Sequence, residues 1–138
     1  MHETPTHQGL TAWHDLIVSR EPKDLRALLA PEATFWSPIV FTPQVGADLT
    51  ALYLTGAMHV LLNETFTYVR QVVDPPHAIL EFTTDVDGTT INGVDMITFD
   101  DRGRIVDFKV MIRPKKAFDL VHERMAAMVA HLGTPPRG

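Results

Sequence analysis

The sequence predicts an α+β domain, and three observations predict it. Apolar residues recur at helical spacing through the first half, β-rich alternating runs fill the second, and turn signals cut that second half into hairpins. Strands do not alternate with helices as a parallel βαβ sheet requires. The 138 residues, 45% hydrophobic and 21% charged, suffice for one domain with its own core.

Each element follows from a local signal. Leu10, Trp13 and Ile17, spaced by three and four, share one face of a first helix. Pro22 suits the first position of a second helical segment, in which Leu25, Leu28 and Leu29 form a short apolar face closed by Pro31. A short strand is expected over 33–37, ended by Pro38. Pro43 opens the next element, and Val45, Leu49, Leu52, Gly56 and Val60 trace a helical stripe, predicting a helix over 45–62. Strands are then expected over 64–73, 78–86, 89–99 and 104–113. Asp74-Pro75-Pro76, Asp87-Gly88 and Asp101-Arg102-Gly103 separate them, making a four-strand antiparallel meander. Pro114 starts a last helix with Ala117, Val121, Met128 and Leu132 on one face. The domain is expected over 8–132, with flexible ends at 1–7 and 133–138.

Composition excludes several classes of function. Cysteine is absent, which removes disulfides, thiolate metal sites and thiol nucleophiles and fits the cytoplasm. The polar N-terminus has no basic stretch followed by an apolar run, so no signal peptide is expected, and no apolar run approaches the roughly 20 residues of a membrane span. A formal charge of −5 argues against a nucleic-acid surface. The seven histidines lack metal-ligand spacing, and no phosphate loop, dinucleotide fingerprint, His-Glu-x-x-His or Gly-x-Ser-x-Gly occurs. Neither a metal nor an organic cofactor is expected.

The local wording carries a family likeness. Leu28-Leu29-Ala30-Pro31-Glu32-Ala33-Thr34-Phe35-Trp36-Ser37-Pro38 resembles the helix-to-strand passage of the nuclear transport factor 2-like superfamily. The run from Asn92 to Ile105 is similar to its penultimate hairpin, and Asp107-Phe108-Lys109-Val110-Met111-Ile112-Arg113-Pro114 resembles the last strand of its SnoaL-like branch. The likeness spans roughly Leu10 to Leu132. It implies a cone-shaped half-barrel: N-terminal helices packed in a strongly curved antiparallel sheet, with a pocket at the open end and a C-terminal helix. Relatives include ketosteroid isomerases, polyketide cyclases, epoxide hydrolases and dehydratases, so the fold leaves the reaction open. Many are homodimers through the outer sheet face, and a homodimer is expected here.

Asp95 is the candidate catalytic residue. Strand alternation puts Gly93, Asp95, Ile97 and Phe99 on one face, and pairing across Asp87-Gly88 adds Leu80, Phe82 and Ile91. An acid on so apolar a face is either paired or raised in pKa, which suits proton transfer near neutral pH. The alternative is a structural Asp95 bonded by backbone or by Lys109. On the next strand, Val106, Phe108, Val110 and Ile112 are expected in the core, with Asp107, Lys109, Met111 and Arg113 outward. Glu81 falls on the face opposite Asp95.

Candidate ligand contacts are Trp13, Trp36, Phe41, Tyr53 and His59. Trp13, Phe35, Trp36 and Phe41 could form an aromatic wall, with Trp36 at the rim. Tyr53 could donate a phenolic hydrogen bond to a ligand oxygen, but it and His59 lie about 120° apart around their helix, so only one can point straight into a cavity. Both could equally be packing residues. Arg113, Lys115 and Lys116 near the last helix's start could meet an anion or form a solvated cluster beside Asp119 and Glu123. The expected ligand is a small, mostly apolar, oxygenated molecule, handled by an isomerase, cyclase or dehydratase or by a non-catalytic binding or assembly module.

Overall fold

Helix α1, Pro5–Ser19, begins inside the stretch expected to be frayed. The computed structural model describes residues 4–132, so residues 1–3 and the whole of the expected flexible tail, 133–138, lie outside it. Thr4 is the N-cap: its hydroxyl accepts from the His7 backbone N–H at 3.1 Å, and Pro5 fills the first turn, where no partner for an N–H exists. Thr6, Gly9, Leu10, Trp13 and Leu16 are its buried face. A 3₁₀ helix, Pro22–Leu28, follows.

Strand β1, Leu29–Trp36, starts four residues ahead of expectation and runs through Pro31. Pro31 is tolerated because it sits where β1 loses register with its neighbour, between Leu29 and Thr34, so no ladder bond needs its missing N–H. A two-residue strand β2, Gln44–Val45, pairs with β1 and replaces the expected helix start, leaving Val45 63% exposed. Helix α2 is Ala47–Leu61. Strands β3 (Thr67–Asp74), β4 (His77–Val86), β5 (Thr89–Phe99) and β6 (Ile105–Arg113) form the expected meander, and α3 (Lys115–Leu132) closes the chain.

The six strands order as β2-β1-β6-β5-β4-β3, antiparallel except for the parallel β1–β6 pair. The sheet stays open and carries the helices on one side, so the α+β half-barrel expectation holds. Along β5, residues 91, 93, 95, 97 and 99 are buried in strict alternation. Val106, expected in the core, is only half-buried, because a register shift near the start of β6 buries Ile105 in its place.

Two buried threonines hold α2 over the sheet. Thr50 donates to the Ala33 carbonyl of β1 at 2.9 Å, and Thr84 of β4 donates to the Leu61 carbonyl at 3.0 Å. Thus α2 is tied at both ends. Its face toward the sheet is Leu54, Met58 and Leu61, while Gly56 from the predicted stripe faces Met125 and Val129 of α3. The buried face of α3 is Ala117, Val121, Met125 and Val129, a strict four-residue repeat, whereas Leu132 is 38% exposed.

Candidate active site

Asp95 sits between Leu80 of β4 and Val110 of β6, its Cα partners on either side. Its residue is only 6% exposed. Neither backbone nor Lys109 bonds it. Instead Tyr68 donates its hydroxyl to Oδ2 at 2.5 Å, and Trp13 Nε1 donates to the Tyr68 oxygen at 3.0 Å. Among the described residues Oδ1 takes no hydrogen bond, yet no side-chain polar atom is both sealed and unpartnered, so Oδ1 faces the cavity that Asp95 lines.

That cavity has a volume of about 30 Å³. Trp13 and Ile17 of α1, Leu54 and Met58 of α2, and Phe82 and Phe108 of the sheet are among its walls. Its polar atoms belong to Asp95, Tyr68 and Trp13. Burial in this apolar setting raises the Asp95 pKa to about 7, against a smaller lowering from the Tyr68 hydrogen bond. Burial first, and then the Asp95 charge and hydrogen bond, push the Tyr68 pKa well above that of a free phenol, so Tyr68 stays protonated and donates. A carboxyl that is half ionised near neutrality, with one oxygen facing an apolar space, can both take and return a proton.

The structure brings two of the six sequence candidates together: Asp95 and Trp13. Trp36 lies on the outer sheet face, where Nε1 donates to Asp107 at 2.7 Å and Lys109 rides 4.8 Å from the ring centroid. Its pairing with Lys109 in the parallel β1–β6 ladder sets that side. Phe41 is 97% exposed in the loop before β2. Tyr53 packs against Phe35 and faces α3, among Ile39, His122 and Met125, away from Asp95. His59 is exposed. These four do not line the Asp95 cavity. Phe35 is buried against Phe108, outside the cavity wall.

Tyr68 was missed. Its only signal was membership of a β-rich run, and the bulge between Tyr68 and Arg70 breaks the alternation that would have assigned its face. The outward set behaves as expected: Glu81 meets Arg70 at 3.3 Å and accepts from Asn92, and Arg113 donates to Asn92. Lys115 pairs with Asp119 at 2.8 Å, the solvated reading of that cluster. Among the described residues no group of three His, Asp or Glu could hold a metal, and no helix is long and apolar enough to cross a membrane.

Comparison with known proteins agrees with this architecture. The family profile of the SnoaL-like domain matches residues 10–108. The chain is similar to a steroid delta-isomerase from Pseudomonas aeruginosa, at 38% identity and a TM-score of 0.88, over 94% of this chain and 95% of that one. It is similar to a bacterial protein with a cystatin-like fold from Silicibacter pomeroyi DSS-3, at 28% identity and a TM-score of 0.81, over 89% and 86% of the two chains. A candidate SnoaL-like polyketide cyclase from Shewanella denitrificans OS-217 shares the fold, at 13% identity and a TM-score of 0.64, over 86% and 97%. No curated protein matches the chain.

Proposed function

The chain belongs to the SnoaL-like family, and from that premise we propose that it is a cofactor-independent isomerase, cyclase or dehydratase that uses Asp95 as its acid and base. The observation that carries this reading is the free Oδ1 of a buried carboxyl with a pKa of about 7, facing an apolar cavity. In support stand the likeness to a steroid delta-isomerase and to a candidate polyketide cyclase. The substrate class is a small, mostly apolar, oxygenated molecule.

The proton balance is simple. In an isomerisation, ionised Oδ1 takes a proton from the carbon beside a carbonyl, and the C–H electron pair moves into the carbonyl to give an enolate. The carboxyl then returns the same proton to a different carbon. In a cyclisation the enolate carbon attacks a second carbonyl of the same molecule, and Asp95 gives the proton to the alkoxide that forms. A pKa near the working pH serves both halves.

The test is turnover of small unsaturated ketones, steroids among them, by the protein and by Asp95→Asn. Loss of turnover in a folded variant supports the reading; equal turnover overturns it. One observation favours a non-catalytic module instead: the cavity is about 30 Å³, whereas a cavity of roughly 150 Å³ accommodates benzene. Chemistry therefore requires the wall to open. Calorimetry that finds binding with no turnover of any panel member would favour the module.

The outer sheet face, with Val72, Ile79 and Met111 at 55%, 36% and 53% exposure, supports a homodimer through that face. Light scattering that finds only monomer would refute it. The cysteine-free composition is the support for a cytoplasmic location.

A further inference from the structure

The proton transfer just described needs only one oxygen of Asp95, and the geometry explains which. Tyr68 is clamped by aromatic edges: its ring meets Phe66 at 5.1 Å, His14 at 5.5 Å and Phe82 at 6.4 Å, each nearly perpendicular. The Trp13 N–H can only donate, so it takes a lone pair of the Tyr68 oxygen and leaves the phenol proton for Asp95. The direction of the chain is thereby set: Trp13 gives to Tyr68, and Tyr68 gives to Oδ2. No comparable donor approaches Oδ1 among the described residues.

We propose that Tyr68 is a positioning residue that occupies Oδ2, held in its donating direction by Trp13, and so dedicates Oδ1 to the ligand. This rests on Asp95 being the proton-transfer group. The two oxygens of a free carboxylate are equivalent; these are not. The site therefore offers a ligand one acceptor atom instead of a fork. It suits a molecule presenting one C–H or O–H, and disfavours amidinium or guanidinium groups that bind both oxygens. Because Tyr68 bonds Oδ2 whether or not Oδ1 carries the proton, a proton comes and goes without rearranging the network.

Few other groups can perturb this titration. Tyr68 approaches from β3, and His14 of α1 touches the Tyr68 ring while bonding Gln71 at 2.7 Å. Helix α2 presents Leu54, Ala57, Met58 and Leu61, β4 presents Phe82, and β6 presents Phe108 and Val110, none of which ionises.

The experiment follows the Asp95 carboxyl carbon by ¹³C NMR against pH, without substrate. Tyr68→Phe keeps the ring and removes the donor, so the midpoint rises by about 1–2 pH units, the scale of a hydrogen bond to a charged group. Trp13→Phe gives a smaller rise, because the Tyr68 hydroxyl loses the partner that polarises it. A midpoint that stays put in Tyr68→Phe overturns the proposal. Should that variant not fold, fluorotyrosine at position 68 in a Tyr53→Phe background provides an almost isosteric, stronger donor. The midpoint then falls if Tyr68 holds Oδ2, and its constancy overturns the proposal equally. The readout needs no turnover, so it stands apart from the Asp95→Asn assay: lost catalysis with an unmoved midpoint refutes Tyr68 alone, and retained catalysis with a moved midpoint refutes Asp95 as the base alone.

Discussion

The ring of Phe82 occupies the space where a side chain on Gly93 would be. The two residues are paired across β4 and β5, and a Cβ on Gly93 would stand 2.4 Å from the Phe82 Cζ and 2.9 Å from the Met111 carbonyl oxygen. Phe82 cannot retreat freely, because it is buried and stacks on Phe66 at 5.1 Å. The aromatic floor next to Asp95 thus depends on a missing side chain.

Gly93→Ala should destabilise the protein by about 1–3 kcal/mol, the cost of overpacking a filled core. Adding Phe82→Leu should return part of that loss, since it relieves the clash with the ring and leaves the one with the Met111 carbonyl. Urea denaturation of both variants checks this, and a Gly93→Ala protein as stable as the parent would show that the sheet relaxes around the methyl.

Asp95 makes stability fall with rising pH. Its pKa is about 7 folded against 3.8 for the free group, so the folded chain holds a proton that the unfolded chain releases between those values. Stability contributed by the neutral form is present below pH ~4 and is lost as pH rises through ~7, a difference of about 4 kcal/mol on the linkage relation. Asp95→Asn removes the ionisation. It should melt close to the parent at about pH 4 and roughly 10 °C above it at pH 8.5, with the gap opening steadily between those values. A variant that melts below the parent at both values would show that Asp95 is a structural carboxylate after all.

Enlarging the cavity should bring the Asp95 pKa down. Met58 lines the same wall, and Met58→Ala removes buried volume at a cost of about 2–5 kcal/mol. Burial is the largest cause of the raised pKa, so water entering beside the carboxyl moves its midpoint from about 7 toward 3.8. The same variant should bind single-ring ketones more tightly, as calorimetry would show. An unchanged midpoint and affinity would mean that α2 collapses into the space.

Thr84 is 2% exposed and its hydroxyl closes the C-terminal end of α2 through the Leu61 carbonyl. Thr84→Val keeps the shape and leaves that carbonyl without its donor, at a cost of about 1–3 kcal/mol. The denaturation midpoint should fall with the slope unchanged. No change in midpoint would indicate that the carbonyl finds another partner.

Elements whose signal is local were legible in the sequence. The β4–β5 hairpin follows from Asp87-Gly88, and Asp95 falls on the buried face because side chains alternate along a strand whatever packs against it. The start of β1 was not legible, because Pro31 argues against a strand until the lost register beside it is seen.

The candidate site divides along the same physical line. Sequence by itself determined the α+β class and one acid on an apolar face, since composition and period are properties of the chain alone. Tertiary structure decided the acid's partners. The bulge beside Tyr68 turned the phenol inward, the parallel pairing of β1 with β6 turned Trp36 outward onto Lys109, and the rotation of α2 sent Tyr53 toward α3. Register shifts and helix rotation minimise the energy of packed neighbours far apart in the chain, so no local window encodes them. That is why Asp95 could be read from its own strand, while Tyr68 and Trp13, separated by 55 residues, meet only in the folded molecule.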